Sequence, residues 1–251
     1  VKLSETIFVS DLHLTEARPE TVSRFLAFLQ RRAPQSERLC ILGDLFDAYL
    51  GDDDRSVPYG AIRQQLKALT ASGTEVLLQV GNRDFLIGQN FSAETGAQLL
   101  GDYHSIDLYG TPTLLMHGDL LCTDDVKYLA ARARVRTPEW RAYALGKPLW
   151  MRRLYARWYR FRSGRDKKDK TDEIMDANPG AIAEAMTSHH VTRLIHGHTH
   201  RPGCYPVEIL GKPSERHVLP EWNGQEWLLI VDAEGIRHES LSADDPGHLP
   251  S

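Results

Sequence analysis

No stretch of this chain stays apolar for the roughly 20 residues that a membrane-spanning helix needs, and no repeat or low-complexity tract interrupts it. Cysteine is scarce. Cys40, Cys122 and Cys204 are the only three, and they show neither CxxC spacing nor a disulfide framework. Cys40 lies in an apolar run, where a free thiol behaves as a small hydrophobe, so a reduced cytoplasmic setting is expected. The N-terminus reads as a short polar lead into a strand rather than a secretion signal. With 251 residues, 41% hydrophobic and 25% charged, the chain can bury a full core as one large domain or one domain with a cap.

The net charge of −4 conceals a strong asymmetry. Residues 127–170 hold 15 Lys or Arg against three acidic residues (Glu139, Asp166, Asp169), a balance of +12, while the remainder holds 15 basic against 31 acidic residues, or −16. An acidic body with a basic insert points to an anionic partner.

Up to about residue 121 the apolar pattern predicts strand, helix, strand, helix, strand, short helix and two strands. The helices fall over 20–32 and 59–72, where Phe25/Leu26/Leu29 and Ile62/Leu66/Leu69 have helical spacing; Pro34 and Gly73 end them. HSIDLYGTPTLLMHG reads as two strands meeting at a Gly-Thr-Pro turn. Alternation returns with VTRLIHGH and then with QEWLLIVD and GIRHES, a closing pair of strands. The expected division is a core of residues 1–121 and 171–241, a helical insertion over 122–170 and a loose tail over 242–251. Within the insertion, PLWMRRLYARWYRFR separates into two helical faces. Trp150, Met151, Leu154, Tyr155 and Trp158 fall on one; Arg152, Arg153, Arg157 and Arg160 fall on the other, facing outward. SGRDKKDK and the run Asp52–Asp54 read as solvated loops.

Five short blocks carry the chemistry. Asp11 and His13 lie in SDLH, Asp44 in LGDLFD, Asn82 in VGNRDF, His117 in MHGD, and His198 and His200 in IHGHTH. Each block comes after an apolar run (TIFV, LCIL, VLLQ, TLLM, RLI), so the seven side chains are expected at strand ends, where open α/β sheets place their sites. A lone DLH or HxH means little; all five blocks in this setting mean a metal site. Seven carboxylate, carboxamide and imidazole ligands suit two divalent cations better than one zinc. Two cations about 3.5–4 Å apart clamp the attacking and leaving oxygens of a displacement at phosphorus and acidify a bridging water. Asp44, with two usable oxygens, is the expected bridge. Asp47 and Asp84, and more weakly Asp119, are expected to orient ligands. His104, His189, His190, His217, His238 and His248 are read as bystanders.

The order DxH, GDxxD, GNxD, HGD, GHxH over residues 6–200 resembles the calcineurin-like metallophosphoesterase superfamily. The longer strings ILGDLFDAYLGDDD, GNRDFLIG, MHGDLLCTDD and IHGHTHRP resemble, within it, the UDP-2,3-diacylglucosamine hydrolases of lipid A biosynthesis. The resemblance implies an α/β fold, a calcineurin-like sandwich of two mixed β-sheets flanked by helices, here with a basic, aromatic helical cap. It also implies hydrolysis of the pyrophosphate bond of UDP-2,3-diacylglucosamine to UMP and 2,3-diacylglucosamine 1-phosphate, with two Mn2+ ions. Asp11, His13, Asp44 and His200 would hold one ion; Asp44, Asn82, His117 and His198 the other. Substrate contacts carried over from the family fall on Asn82, Arg83, Asp125, Ser163, Lys167, Lys170 and His198, and Lys167 stands where many relatives are expected to have asparagine.

One departure is informative. Many superfamily members have GNH[DE], whose histidine helps the leaving group, whereas this chain has Arg83 in GNRD. A guanidinium is no general acid, but it holds a phosphate through two parallel hydrogen bonds. That favours a leaving group that departs as a stable anion, such as a phosphate from a diphosphate, over an alkoxide. Asp44, Asn82, Arg83, His117 and His198 are thus the expected catalytic set. The apolar stripe suits acyl chains, and the outward arginines suit peripheral attachment to the anionic cytoplasmic face of the inner membrane. Neither a nucleic acid nor an obligate protein partner is expected. The rival readings are a nucleotide diphosphatase, a cyclic-nucleotide phosphodiesterase, a nuclease gripping nucleic acid through the basic insert, and a catalytically dead binding module. The last should have lost ligands, and none is missing.

Overall fold

The computed structural model describes residues 3–166, 176–224 and 226–241, with only the helical backbone for 158–166. Two mixed sheets face one another. The first has six strands in the order β11-β10-β1-β2-β3-β4, and the second has five in the order β5-β6-β7-β9-β8. β1 (Leu3–Val9), β2 (Ser36–Leu42) and β3 (Glu75–Gln79) run parallel, and each is buried along most of its length. Continuous apolar runs such as TIFV and LCIL belong in strands covered on both faces. In the second sheet, β6 (Thr111–Leu115) pairs in parallel with β7 (Arg193–His196).

This arrangement buries three apolar layers. Phe8, Cys40, Leu42 and Leu77 of the first sheet meet Leu108, Leu115 and Ile195 of the second between the sheets. On the first sheet's outer face, Phe25, Phe28 and Leu29 of α1 (Pro19–Arg31) and Ile62, Leu66 and Leu69 of α2 (Tyr59–Ala71) pack with Trp222. Both helices match their sequence expectations within a residue; Pro19 opens α1, where its missing N–H costs nothing. Ile182, Ala185 and Met186 of α7 (Pro179–Ser188) cover the second sheet. α3 (Gln89–Thr95) leads into the two-residue strand β4 (Gln98–Leu99).

Several local expectations are corrected. The β5–β6 hairpin, with β5 at His104–Leu108, turns at Tyr109-Gly110 rather than at Gly-Thr-Pro. Both turn residues have positive φ, 53° and 86°, the geometry that a two-residue hairpin turn demands. Residues 203–218, for which the sequence pattern predicts no strands, form a hairpin of β8 (Gly203–Ile209) and β9 (Lys212–Val218). Their weak apolar content hid them: β8 is an edge strand, exposed at alternate residues. QEWLLIVD and GIRHES do close the first sheet as the antiparallel pair β10 (Glu226–Asp232) and β11 (Gly235–Leu241).

The basic segment forms α4 (Val126–Val135), α5 (Pro138–Leu145) and α6 (Leu149–Asp166). Ser163–Asp166 is therefore helical, not loop, because α6 continues through the arginine-rich turn. On α6, Arg152 departs from its expected outward face, whereas Arg153 and Arg157 are exposed as expected. Arg152 is buried, donating to both carboxylate oxygens of Asp53, to the Leu50 carbonyl and, at 2.9 Å, to the Lys147 carbonyl. Arg153 reaches Asp54 at 2.9 Å. Trp150, Met151, Leu154 and Tyr155 face solvent instead. Asp52–Asp54 is a loop as expected, but only Asp53 is exposed to solvent. Asp52 accepts from the Gly88 and Phe91 N–H groups at the start of α3, and Asp54 is fully buried. Two aspartates outcompeted the apolar stripe because a guanidinium finds charged and carbonyl acceptors there at once.

Arg152→Ala should cost about 1–3 kcal/mol, since the carbonyls and carboxylate it serves lose their donor. The expected melting shift is about 2–4 °C per kcal/mol for a chain of this size. An unchanged melt would show that α6 is held by something else.

Candidate metal centre

The five blocks lie just beyond the C-terminal ends of β1, β2, β3, β6 and β7. Those strands run parallel within each sheet, so all their ends open on one rim. The chain there must turn sharply to aim side chains inward. Asp11, His13, Asp44, His198 and His200, five of the seven expected ligands, have φ between 47° and 68°. Left-handed backbone is costly for such residues and persists where the surroundings over-determine it, as at functional sites. Here the turns are tied to one another: Asp11 N–H donates to the Gly43 carbonyl at 3.1 Å and His13 N–H to the Asp44 carbonyl at 2.9 Å.

Two glycines leave room that a side chain would fill. A methyl on Gly81 would overlap the Oδ1 and backbone nitrogen of Asp44; one on Gly197 would overlap the Oδ2 of Asp11 and the Oγ of Ser10. The glycines of GN and GH are therefore part of the site.

Ligand-type atoms of Asp11, His13 and His200 lie within 4.8 Å of one another, as do those of Asp11, Asp44 and His117. Asn82 Oδ1 sits 3.1 Å from both His117 Nε2 and His198 Nδ1. All seven expected ligands thus come together, and Asp11 and Asp44 join the two halves. His13 Nδ1 is buried without a hydrogen-bond partner, and buried Asp11 Oδ1 meets only His200 Nε2, at a long 3.4 Å. Buried carboxylate and imidazole acceptors left in this state fit divalent cations, whose ligands must be deprotonated.

Around them lies a layer that holds each ligand. Ser10 donates to Asp11 Oδ2 at 2.6 Å, and His198 N–H to the same oxygen at 2.8 Å. Arg83 N–H fixes Asp44 Oδ1 at 2.8 Å, and His117 Nδ1 meets the Leu42 carbonyl at 2.9 Å. Asp84 takes Gly81 N–H and Leu45 N–H at 2.7 and 2.8 Å, so it fixes the two ligand loops rather than a ligand side chain. Asp119 receives the Tyr128 hydroxyl and, at 2.6 Å, Arg132 Nε, which ties α4 to the site. The backbone N–H of Asp47 bonds Leu14 O at 3.2 Å. Glu221, which no sequence motif marks, lies 3.1 Å from His200 Nδ1 and orients that ring.

Asp125 caps α4, accepting from Tyr128 N–H at 3.1 Å. Ser163 lies on α6 where only the backbone is described, as does Trp158; Lys167, Lys170 and the tail 242–251 lie outside the described residues. Arg83 is half-buried, and its charge is felt at His13.

Burial and crowding of like charges shape the electrostatics. Burial pushes the Asp44 carboxyl up to about 7, countered by His117 and reinforced by Asp84 and Asp11. Burial also opposes ionisation of Asp11, but hydrogen bonding from His200 and the charge of His117 hold it below the usual carboxylate range. Burial lowers His13 to about 4 and His198 to about 3, leaving neutral imidazoles with free lone pairs. His200, hydrogen-bonded by Asp11 and then Glu221, is raised to about 10. Without cations the cluster holds protons that a metal would displace.

Fold and centre together define a metal-dependent phosphoesterase. The Calcineurin-like phosphoesterase family matches residues 5–202. The UDP-2,3-diacylglucosamine hydrolase of Cellvibrio japonicus (strain Ueda107) is 44% identical over 231 residues, 92% of this chain and 96% of that protein. That of Marinobacter nauticus is also 44% identical, over 94% of this chain and 98% of its own. That of Pseudomonas aeruginosa (strain UCBPP-PA14) is 45% identical over 92% and 96%. The chain belongs to the calcineurin-like phosphoesterases and, within them, to the UDP-2,3-diacylglucosamine hydrolase family.

Proposed function

We propose that this chain hydrolyses the pyrophosphate bond of UDP-2,3-diacylglucosamine, releasing UMP and 2,3-diacylglucosamine 1-phosphate in lipid A biosynthesis. The observation that carries the reading is the convergence of all seven ligand-type side chains on one rim, in a chain about 44% identical to named hydrolases of this substrate. Asp11, His13, Asp44 and His200 would hold one Mn2+, and Asp44, Asn82, His117 and His198 a second. Bound there, the ions supply Lewis acidity and a water acidified enough to act as nucleophile near neutral pH.

The chain's own residues do the rest. Asp44, fixed through one oxygen by Arg83 N–H, keeps the other for the cations. Arg83 brings a fixed positive charge beside His13 for the diphosphate, and offers no proton to a leaving group. A phosphate leaving from an anhydride needs none. Asn82 and His198, with Arg83, would contact the substrate beside the ions, and Asp125 would contact it from the head of α4. Ser163, Lys167 and Lys170 contact the substrate from the end of the basic segment.

Residues 122–170 act as a cap on the core of 1–121 and 171–241. The exposed stripe Trp150, Met151, Leu154 and Tyr155 offers acyl chains an apolar wall, with Arg157 beside it for anionic lipid. We place the protein peripherally on the cytoplasmic face of the inner membrane; no described helix is long and apolar enough to cross it.

The test compares substrates in detergent with Mn2+ present. UDP-2,3-diacylglucosamine should be hydrolysed at least ~100-fold faster than UDP-N-acetylglucosamine, because the remote acyl groups lend binding energy to the transition state. Equal rates would sink the lipid assignment and leave a nucleotide-sugar diphosphatase. A chelator should abolish both activities, and Mn2+ should restore them.

A further inference from the structure

A second group of metal-ligating side chains lies apart from the centre, on the β8–β9 hairpin. Cys204 and His217 are direct partners across the two strands, and Glu215 is two residues before His217, so all three share one face. Cys204 Sγ is 3.8 Å from His217 Nε2, and Glu215 Oε2 is 3.2 Å from the same nitrogen. The three ligand atoms fall within 4.8 Å of one another. A tetrahedral ion with bonds of about 2.0–2.3 Å sets such atoms roughly 3.3–3.6 Å apart, close to both distances at His217 Nε2, so side-chain adjustment within the 4.8 Å cluster would seat it.

The support is already in place. Glu215 Oε1 receives Arg193 Nε at 2.5 Å, which fixes the carboxylate while leaving Oε2 directed at His217. His217 is buried, and burial lowers its basicity, which favours the uncharged ring that a cation requires. Cys204 is solvent-exposed, which gives an ion a way in and leaves a fourth position for water. Burial and the Glu215 charge raise the Cys204 thiol; a dication between them reverses that penalty, and binding releases the thiol proton.

We propose that Cys204, Glu215 and His217 bind one thiophilic divalent cation of the zinc class. A sulfur, nitrogen and oxygen set selects zinc or cobalt over manganese, the opposite preference to the oxygen- and nitrogen-rich centre. The ion pins the edge hairpin that begins three residues after His200.

Cobalt tests this without reference to catalysis. The full chain, its centre first saturated with Mn2+, is titrated with Co2+ and monitored by near-ultraviolet absorption. A thiolate-to-cobalt band should grow to about one equivalent, because none of the seven centre ligands is sulfur and exchange there produces no such band. Cys204→Ser should remove the band, Cys122→Ser should retain it, and Glu215→Gln should weaken cobalt binding at least ~10-fold. No band in the native chain, a band persisting in Cys204→Ser, or unchanged affinity in Glu215→Gln would overturn the site.

Discussion

Asp44→Ala and His117→Ala are expected to lower kcat by at least ~1000-fold, about 4 kcal/mol of transition-state stabilisation, with folding intact. Asp44 is the one carboxylate that belongs to both proposed ion sites, and His117 lies 3.9 Å from its free oxygen. Loss of either removes the cation pair as a unit. Metal analysis and hydrolysis should therefore fail together; full activity in either variant would refute the two-ion reading.

Asp44 also gives a stability signature opposite to its catalytic value. In metal-free protein its carboxyl is raised from 3.8 to about 7 by burial and by Asp84 and Asp11. Between those values the folded state binds a proton that the unfolded state has lost, so Asp44 costs the fold more as pH rises. In chelator, Asp44→Asn should gain stability relative to the native chain from pH 4 to about 7, then level off. Denaturant melts at three pH values would measure it. A gap that narrows over that range would contradict the assignment.

Gly81→Ala is the second substitution with a large expected effect, although Gly81 is not itself a ligand. The added methyl would overlap Oδ1 and the backbone nitrogen of Asp44. The backbone has little room to give, because Gly81 N–H is held by Asp84 at 2.7 Å and its carbonyl by Arg136 at 2.8 Å. A misplacement of about 1 Å at a reacting centre costs on the order of 100-fold, and overpacking costs roughly 1–3 kcal/mol of stability. Activity should fall at least ~100-fold with weakened metal retention. Gly101→Ala, whose new methyl would meet only the Tyr103 carbonyl at 3.8 Å, should leave the rate near normal. Equal behaviour of the two would show that the close approach at Gly81 is not what shapes the centre.

Much of the centre was legible because its ligands come in blocks after apolar runs. Buried parallel strands are continuous in hydrophobicity, and the residues at each strand's C-terminal end must sit on the rim. The supports were less visible. Glu221 carries no motif, yet it holds His200; Tyr128 and Arg132 come from a helix whose sequence marks them only as polar and basic. The β8–β9 hairpin escaped notice because an edge strand needs few apolar residues, and with it went the pairing of Cys204 with His217.

The order and type of the seven ligands, the parallel strands that deliver them and the basic character of residues 127–170 were set by local sequence alone. Periodicity and block spacing are properties of contiguous residues. Which way α6 faces was decided only in three dimensions. Arg152 could equally have met solvent, as Arg153 largely does, and the stripe beside it the core. Asp53 and Asp54, about a hundred positions earlier in the chain, supply acceptors that no helical pattern can reveal, and charge pairing across that separation fixed the apolar face outward.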